Sequence, residues 1–195
     1  MNRTEPSATK SNSGDPSLSG EALASLRSLY GEVDLQATQI AEGHGLRLQC
    51  RRGCCQCCVD DLTVFEIEAE NIRLNHASLL AQHLPHPRGA CAFLDSEGGC
   101  RIYAHRPYVC RTQGLPLRWM DEGQNGELVE LRDICPLNDE GTPIVELDED
   151  ECWTIGPTET QLAKLQHQFG SEQMTRVPLR SLFTTSDFEE DGGQR

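Results

Sequence analysis

Five cysteines lie within nine residues of this chain, between positions 50 and 58. Neighbouring cysteines seldom form a disulfide with each other, because a disulfide needs Cα atoms about 4.4 to 6.8 Å apart and side chains that face each other. A metal ion or an iron–sulfur cluster collects several thiolates from one turning loop and fits this density better. The stretch also contains Arg51, Arg52 and Gln56, so it is too polar for cysteines that act only as small buried apolar side chains. The segment therefore predicts a thiolate metal centre.

Four later cysteines can reach the same centre, and the intervening sequence indicates how. A Gly-rich turn separates Cys91 from Cys100, and the residues from Cys91 to Tyr103 predict two short strands that bring both thiols onto one hairpin. Pro107 favours the first turn of a short helix that carries Cys110 about one turn later. A second predicted hairpin then returns Cys135 towards the cluster.

Two arginines flank Cys110, and the sequence allows two interpretations of their role. Arg106 and Arg111 could form ordinary salt bridges, because the chain is rich in acidic residues. They could also offset the negative charge of the thiolates and tune metal affinity or redox potential.

The composition predicts a small domain with few apolar side chains. The chain has 195 residues, which is consistent with one domain, and only 42 of them are Leu, Ile, Val or Phe. A metal that binds only the native state adds directly to the free energy of folding. We therefore expect the fold and the metal to be coupled.

The charge and hydropathy of the chain exclude several classes of protein. Seventeen basic and thirty-one acidic residues give a net charge of −14, which repels nucleic acid and anionic lipid. The first 20 residues contain no apolar block of signal-peptide length, and no window resembles a membrane span. We expect a soluble cytoplasmic protein whose clustered cysteines serve metal or redox chemistry rather than a disulfide framework.

Apolar periodicity predicts three longer helices and one further hairpin. The first helix has Ser19 as its N-cap and ends at Gly43 or Gly45, and a second begins at the capping box of Thr63 and Glu66 and ends before Pro85. A final helix starts near Thr158 and continues to Phe169. Residues 115–119 and 127–131 predict the hairpin. Lone histidines along these elements are expected to be solvated rather than to bind metal.

The predicted fold class is α+β: a small irregular domain that is stabilised by metal and has short β-hairpins and several flanking helices. The metal-binding domain covers residues 19–172. A disordered tail (residues 1–18) precedes it, and a flexible tail (residues 173–195) follows it.

The cysteine motifs follow one another in the order Cys50-x3-Cys54-x2-Cys57-Cys58, Cys91-Ala-Phe-Leu, Cys100-Arg-Ile-Tyr-x2-Arg106-Pro107-x2-Cys110-Arg111 and Cys135. This series resembles the YkgJ-type cysteine cluster family, also described as the CxxCxxCC zinc- or iron-chelating domain, over about residues 50 to 135. The resemblance implies eight cysteine ligands for metal, which are Cys50, Cys54, Cys57, Cys58, Cys91, Cys100, Cys110 and Cys135. Cys55 and Cys152 lie outside the pattern.

The resemblance constrains the ligands better than the reaction. The preferred hypothesis is a protein that holds zinc or an iron–sulfur cluster through up to eight thiolates, with a redox or carrier role. The alternative is an iron–sulfur enzyme, because some members of the family are described as oxidoreductases and others are similar to a flagellin lysine N-methylase. The spacing of Cys50, Cys54 and Cys57 equals that of radical S-adenosylmethionine enzymes, but the chain lacks the length and the strand–helix alternation of their barrel.

Counting the thiols leaves the type of centre open. Eight thiolates could form two closed zinc sites, one binuclear zinc site, or one iron–sulfur cluster with the remaining cysteines structural.

Overall fold

The computed structural model describes residues 16–170 and 174–184 of the chain. Within these residues, four α-helices and two small β-sheets are joined by turns, 3₁₀ helices and irregular segments. The α-helices are α1 (Pro16–His44), α2 (Glu66–Gln82), α3 (Tyr108–Arg111) and α4 (Pro157–Gln168). The strands are β1 (Thr63–Phe65), β2 (Leu117–Glu122), β3 (Leu128–Asp133), β4 (Trp153–Thr154) and β5 (Arg176–Pro178). The α+β class is confirmed.

Helix α1 follows the predicted apolar pattern. Leu26, Tyr30 and Val33 recur at three- and four-residue steps and are all buried. The helix ends at His44, where Gly45 adopts a positive φ of 47°. It begins at Pro16, three residues before the predicted N-cap, and residues 1–15 of the predicted tail lie outside the described part of the chain.

The predicted start of the second helix is wrong. Thr63 does not cap a helix; it begins β1, and α2 starts only at Glu66. The reason is a strand partner 113 residues away, because β1 pairs with β5 in antiparallel register, with Val64 opposite Val177. The carboxylate of Glu68 accepts the N–H of Phe65 at 3.1 Å and so supplies the N-terminal cap of α2.

Glu68 also connects α2 to two other helices. Its carboxylate is buried and accepts hydrogen bonds from the Tyr30 hydroxyl of α1 and from the backbone N–H of Tyr108 at the start of α3, both at 2.9 Å. Burial, together with the charge of Glu68, raises the pKa of the Tyr30 phenol well above its usual value, so the hydroxyl remains a donor. This buried carboxylate therefore fixes the position of the helix that carries Cys110.

The C-terminal segment is part of the core, which corrects the prediction of a flexible tail from residue 173. Strand β5 completes the sheet with β1, and the following 3₁₀ helix (Leu179–Leu182) buries both of its leucines. Phe183 is 1% exposed and lies against Phe93, with ring centroids 5.0 Å apart. These elements are too short to give a recognisable period, so the sequence did not reveal them. Residues 171–173 and 185–195 lie outside the described part of the chain.

The second sheet contains the predicted hairpin. Strands β2 and β3 pair in antiparallel register, with Trp119 opposite Leu131, and the short β4 lies parallel to β2 on its other edge. The hairpin predicted between Cys91 and Tyr103 is reduced to a single antiparallel bridge between Leu94 and Cys100. The side chain of Asp95 organises this turn by accepting the N–H groups of Glu97 and Gly99 at 2.9 and 2.7 Å.

Two apolar clusters support these elements. The α1 cluster joins α1 and α4, and its buried members include Leu26, Trp153 and Leu162. The α2 cluster joins α2, the segment from Cys91 to Ile102 and the C-terminal segment. Three predicted ligands belong to the α2 cluster or pack against it, namely Cys58, Cys91 and Cys100. In the described part of the chain, no helix combines the length and apolar character needed to cross a bilayer.

Candidate metal centre

Seven of the eight predicted ligands line one partly open cavity of about 660 Å³. They are Cys50, Cys54, Cys57, Cys58, Cys91, Cys100 and Cys110. The eighth, Cys135, is not among the lining residues but lies close enough to Cys50 for the two thiol charges to interact. The fold therefore brings cysteines from four separate segments of the sequence to one place.

Two consecutive turns present the first cysteines to the cavity. The N–H of Cys54 donates to the carbonyl of Arg51, and the N–H of Cys58 donates to the carbonyl of Cys55, both at 2.9 Å. Gly53 has a φ of 86°, which favours glycine at this turn. The turns bring Cys54, Cys57 and Cys58 to the cavity wall, although no helix or strand contains them.

Backbone hydrogen bonds hold the next two cysteines beside this loop. The N–H of Cys91 donates to the carbonyl of Cys58 at 2.9 Å, so these two residues lie on adjacent chain segments. Cys100 is fixed by its bridge to Leu94. Cys91 is buried and Cys100 is half-buried, and both face the cavity.

Cys110 lies on the short helix α3 and lines the cavity. Pro107 precedes α3, as predicted, and its carbonyl accepts the N–H of Cys110 at 3.0 Å. Burial, followed by the charges of Cys91 and Cys100, raises the pKa of the Cys110 thiol to about 12.

Burial likewise raises the pKa values of Cys50, Cys91 and Cys100. In contrast, the thiol of Cys58 hydrogen-bonds to Cys57 and lowers the pKa of Cys57 to about 6, while the same bond raises the pKa of Cys58. Most of the enclosed thiols therefore favour the neutral form unless a cation compensates their charge. A bound metal ion supplies that compensation, and its binding releases protons.

Asn138 is a residue of the site that the sequence did not indicate. Its side-chain amide donates to the Sγ of Cys50 at 3.4 Å and to the carbonyl of Gly114 at 2.7 Å, and its oxygen accepts the N–H of Gln49 at 2.8 Å. Its backbone N–H donates to the carbonyl of Cys135 at 2.7 Å. Asn138 is fully buried and thus connects two predicted ligands, Cys50 and Cys135, that are 85 positions apart.

Replacing Asn138 should weaken metal binding without removing a ligand. In Asn138→Ala, we expect metal affinity to fall by roughly 10- to 100-fold, because an N–H···S bond and the orientation of Cys50 are lost. Metal stoichiometry at saturation should stay unchanged. Competition titrations against a chromophoric chelator measure both quantities, with Asn125→Ala in the exposed β2–β3 turn as the control. Wild-type affinity in Asn138→Ala would contradict this role.

Arg106 and Arg111 form salt bridges, as one of the two interpretations predicted. Both guanidinium groups reach the carboxylate of Asp34 on α1, at 3.4 and 2.6 Å respectively. Arg111 also lies over the ring of Tyr30, 3.9 Å from its centroid. Both arginines line the cavity as well, so their positive charge is adjacent to the thiols. The two interpretations are therefore compatible in this geometry.

The donors around the cavity fit a thiophilic metal. Among the described residues, no group of three or more Cys, His, Asp or Glu side chains already has a geometry that could hold a metal ion, so the thiols surround the space without converging on one point. The seven cysteines nevertheless give the cavity a sulfur-rich donor set, which suits zinc and iron–sulfur clusters. The side chain of Arg111 is only 3% exposed, and its buried Nε lacks a hydrogen-bond partner within the described structure. A donor of this kind suits a negatively charged thiolate centre.

Histidine does not contribute to the cavity wall. None of the six histidines, all within the described residues, lines the cavity. His76 instead contacts His105, with 3.0 Å between Nε2 and Nδ1. The cavity therefore offers the thiols and the carboxylate of Asp95 as ligands, but no imidazole.

The two cysteines outside the family pattern also lie outside the cavity wall. Cys55 is half-buried and packs against the α2 cluster, with its Sγ close to Gly98. Cys152 is buried near Arg132, whose Nη1 is 3.9 Å from its Sγ.

We expect Cys55→Ser to keep its metal. The side chain of Cys55 does not line the cavity, so its replacement removes no predicted ligand. Metal content after gel filtration should equal that of the wild type, whereas Cys54→Ser, the matched control, should lose metal. An equal loss in the two variants would make Cys55 a ligand.

Arg180, in the C-terminal segment, connects two chain segments beside the cavity. Its guanidinium donates to the carboxylate of Asp60 at 2.6 Å and to the carbonyls of His86 and Ala90 at 2.6 and 2.9 Å. Asp60 follows the first cysteine loop, and Ala90 immediately precedes Cys91. Arg180 thus holds together the two segments that carry Cys58 and Cys91.

Comparison with known proteins agrees with this geometry. The model of the family described as "CxxCxxCC: Putative zinc- or iron-chelating domain" matches residues 49–136, a little under half of the chain. No curated protein and no solved structure matched the chain. The matched segment contains all eight predicted ligands, whereas Asp34, Asn138 and Arg180 lie outside it. The chain is therefore similar to the CxxCxxCC family of zinc- or iron-chelating domains over residues 49–136.

Proposed function

We propose that this protein binds zinc or an iron–sulfur cluster through the thiolates of its eight family-pattern cysteines. The observation that carries the proposal is the convergence of seven of these cysteines on one cavity of about 660 Å³. A purely structural role for buried cysteine would not require thiols from separate segments to face a common space. The eighth cysteine is held next to the cavity through Asn138 and Cys50.

The surroundings of the cavity favour a metal over a disulfide framework. All ten cysteines are free thiols. The arginines beside the cavity offset the negative charge that several thiolates would bring. We infer a reducing cytoplasmic compartment for a protein of this kind, and its net charge of −14 disfavours nucleic acid as a partner.

The shape of the cavity supports a second candidate function, an iron–sulfur enzyme or redox protein. A closed structural zinc site leaves no open coordination position. Here the cavity is partly open, and its volume lies within the range of about 300 to 1,000 Å³ that small-molecule pockets occupy. Arg106, Arg111 and Tyr103 line it beside the thiols, so a small substrate would have both space and polar partners.

Anaerobic purification followed by metal and sulfide analysis tests the proposal. We expect either zinc without sulfide or iron and sulfide in equal amounts, the latter with a visible absorption band that bleaches on reduction. The control is Cys58→Ser combined with Cys110→Ser, which should lower metal content in either case. A wild-type protein that holds neither metal, as purified or after reconstitution under reducing conditions, would overturn the proposal.

A further inference from the structure

We infer that Gly114 positions the thiol of Cys50 for metal binding, because the space that this sulfur occupies exists only while residue 114 has no side chain. The inference deepens the proposed function and rests on it, since Cys50 is one of the eight cysteines assigned to metal. Gly114 is thus a positioning residue, which acts on the metal through Cys50.

The Sγ of Cys50 lies against Gly114. A Cβ placed on Gly114 would lie less than 3.0 Å from this sulfur, a distance that Cβ atoms essentially never show. It would also lie 3.3 Å from the Nδ2 of Asn138, which is tighter than an ordinary contact. Gly114 is buried and has a φ of 94°, so the space and the backbone conformation both favour glycine here.

Asn138 bonds to the same two residues and fixes their separation. Its Nδ2 donates to the Sγ of Cys50 at 3.4 Å and to the carbonyl of Gly114 at 2.7 Å. Its Oδ1 accepts the N–H of Gln49, and its carbonyl accepts the Nε of Arg47, both at 2.8 Å. These bonds hold the backbone before Cys50 in place, so the sulfur cannot leave Gly114 by a shift of its whole segment without breaking them.

Rotation of the Cys50 side chain is therefore the easiest way to relieve an overlap at position 114. The Cβ of Cys50 would be 3.9 Å from the added atom, which is an ordinary contact, so only the sulfur must move. Cysteine has one side-chain torsion that moves its sulfur, and the change is to another staggered rotamer. That rotation breaks the N–H···S bond with Asn138. Gly114 thus preserves the rotamer with which Cys50 lines the cavity.

The contact also relates Cys50 to two other predicted ligands. Gly114 follows Cys110 by four positions, and the backbone N–H of Asn138 donates to the carbonyl of Cys135 at 2.7 Å. The sulfur of Cys50 is therefore set against the segments that carry both of these cysteines. Because metal–ligand distances vary by only about 0.2 Å, a sulfur in a different rotamer is lost as a ligand.

Gly114→Ala tests the inference, with Gly141→Ala as its matched control. Gly141 is exposed and has a φ of 106°, and no atom of the described structure lies within 4 Å of its Cβ position, so the control carries the backbone strain without the sulfur contact. In Co²⁺ titrations under anaerobic, reducing conditions, the affinity of Gly114→Ala should fall by roughly 10- to 100-fold relative to the control. Equal affinity in the two variants would overturn the inference. A wild type that binds no cobalt would overturn the proposed function as well.

A Cys50→Ala background separates an effect through the sulfur from a general loss of packing. With no sulfur to displace, the addition of Gly114→Ala to Cys50→Ala should lower cobalt affinity by less than about threefold further. A further tenfold fall or more would overturn the inference. If Gly114→Ala alone does not fold, the double variant should fold, because the overlap is absent; failure of both would also overturn the inference.

Alkylation by iodoacetamide gives a second readout on the cobalt-loaded proteins. Mass spectrometry should show that Cys50 loses its protection in Gly114→Ala, whereas Cys91 keeps it, because only the Cys50 sulfur has left the metal. Gly141→Ala should protect both thiols like the wild type. Equal labelling of Cys50 and Cys91 in Gly114→Ala, or continued protection of Cys50, would overturn the inference.

Discussion

Removal of the metal should abolish the cooperative melting of the part of the molecule around the cavity. Residues 48–62 and 83–102 carry six of the predicted ligands and contain no helix or strand in the described structure. Structural zinc contributes about 10–16 kcal/mol in zinc-finger peptides, which is comparable to the whole stability of a small domain, about 5–15 kcal/mol. We expect the melting temperature to fall by more than about 20 °C after chelation under reducing conditions.

Hydrogen exchange should locate this loss. Amides of the α2 cluster, such as those around Phe93 and Cys91, should lose protection first, because Cys91 belongs to that cluster. Amides of the α1 cluster, such as those around Leu26, should be less affected, since none of its members is a predicted ligand. Restoration of zinc should reverse both effects. An unchanged melting temperature after proven metal loss would contradict the coupling of metal to fold.

Glu68→Ala should strongly destabilise the fold, although Glu68 is a polar residue. The variant leaves the Tyr30 hydroxyl and the N–H groups of Phe65 and Tyr108 without their acceptor in a buried place. Each such unsatisfied donor costs about 1–3 kcal/mol, so a total loss of about 3–5 kcal/mol is expected once partial relaxation is included. Urea unfolding of the metal-loaded protein measures it.

Two further variants make the Glu68 prediction specific. Glu68→Gln keeps one carbonyl acceptor and should cost about 1–2 kcal/mol. Glu70→Ala, on the same helix, removes only a half-exposed ion pair with Arg73 and should change stability by less than about 0.5 kcal/mol. Equal losses in Glu68→Ala and Glu70→Ala would mean that the buried carboxylate does not hold the three helices together.

Periodic elements could be predicted from the sequence because their signal is local. Helix α1 shows its apolar stripe from Ala22 to Ile40, and β2 and β3 are adjacent strands with a Gly-containing turn. Thr63 shows the limit of this approach. Its spacing to Glu66 matches a capping box, but pairing with β5, more than 100 residues later, places it in a strand instead. A three-residue strand has too few positions to show a period, so β1 and β5 could not be recognised.

The candidate site was likewise only partly predictable from the sequence. Cysteine spacing and family resemblance named the thiols, and the structure brings seven of them to one cavity. The residues that support them, Asp34, Asn138 and Arg180, are ordinary polar residues with no local motif. Asp34 is 77 positions from Arg111, and Asn138 is 88 positions from Cys50, so only the tertiary fold reveals their contacts. The sequence therefore reveals ligands more readily than the groups that orient them.

Arg180, which bonds to both segments beside the cavity, is synthesised long after the cysteines that it supports. Arg180 bonds to the carbonyl of Ala90, which lies 90 positions earlier, next to Cys91. At about 5 to 20 residues per second, a ribosome takes on the order of ten seconds to pass from one to the other, and the exit tunnel delays Arg180 further. During that interval the nascent cysteine loops are exposed to cellular metals and oxidants without their final support. The cysteine loops therefore gain this support only after Arg180 has left the ribosome.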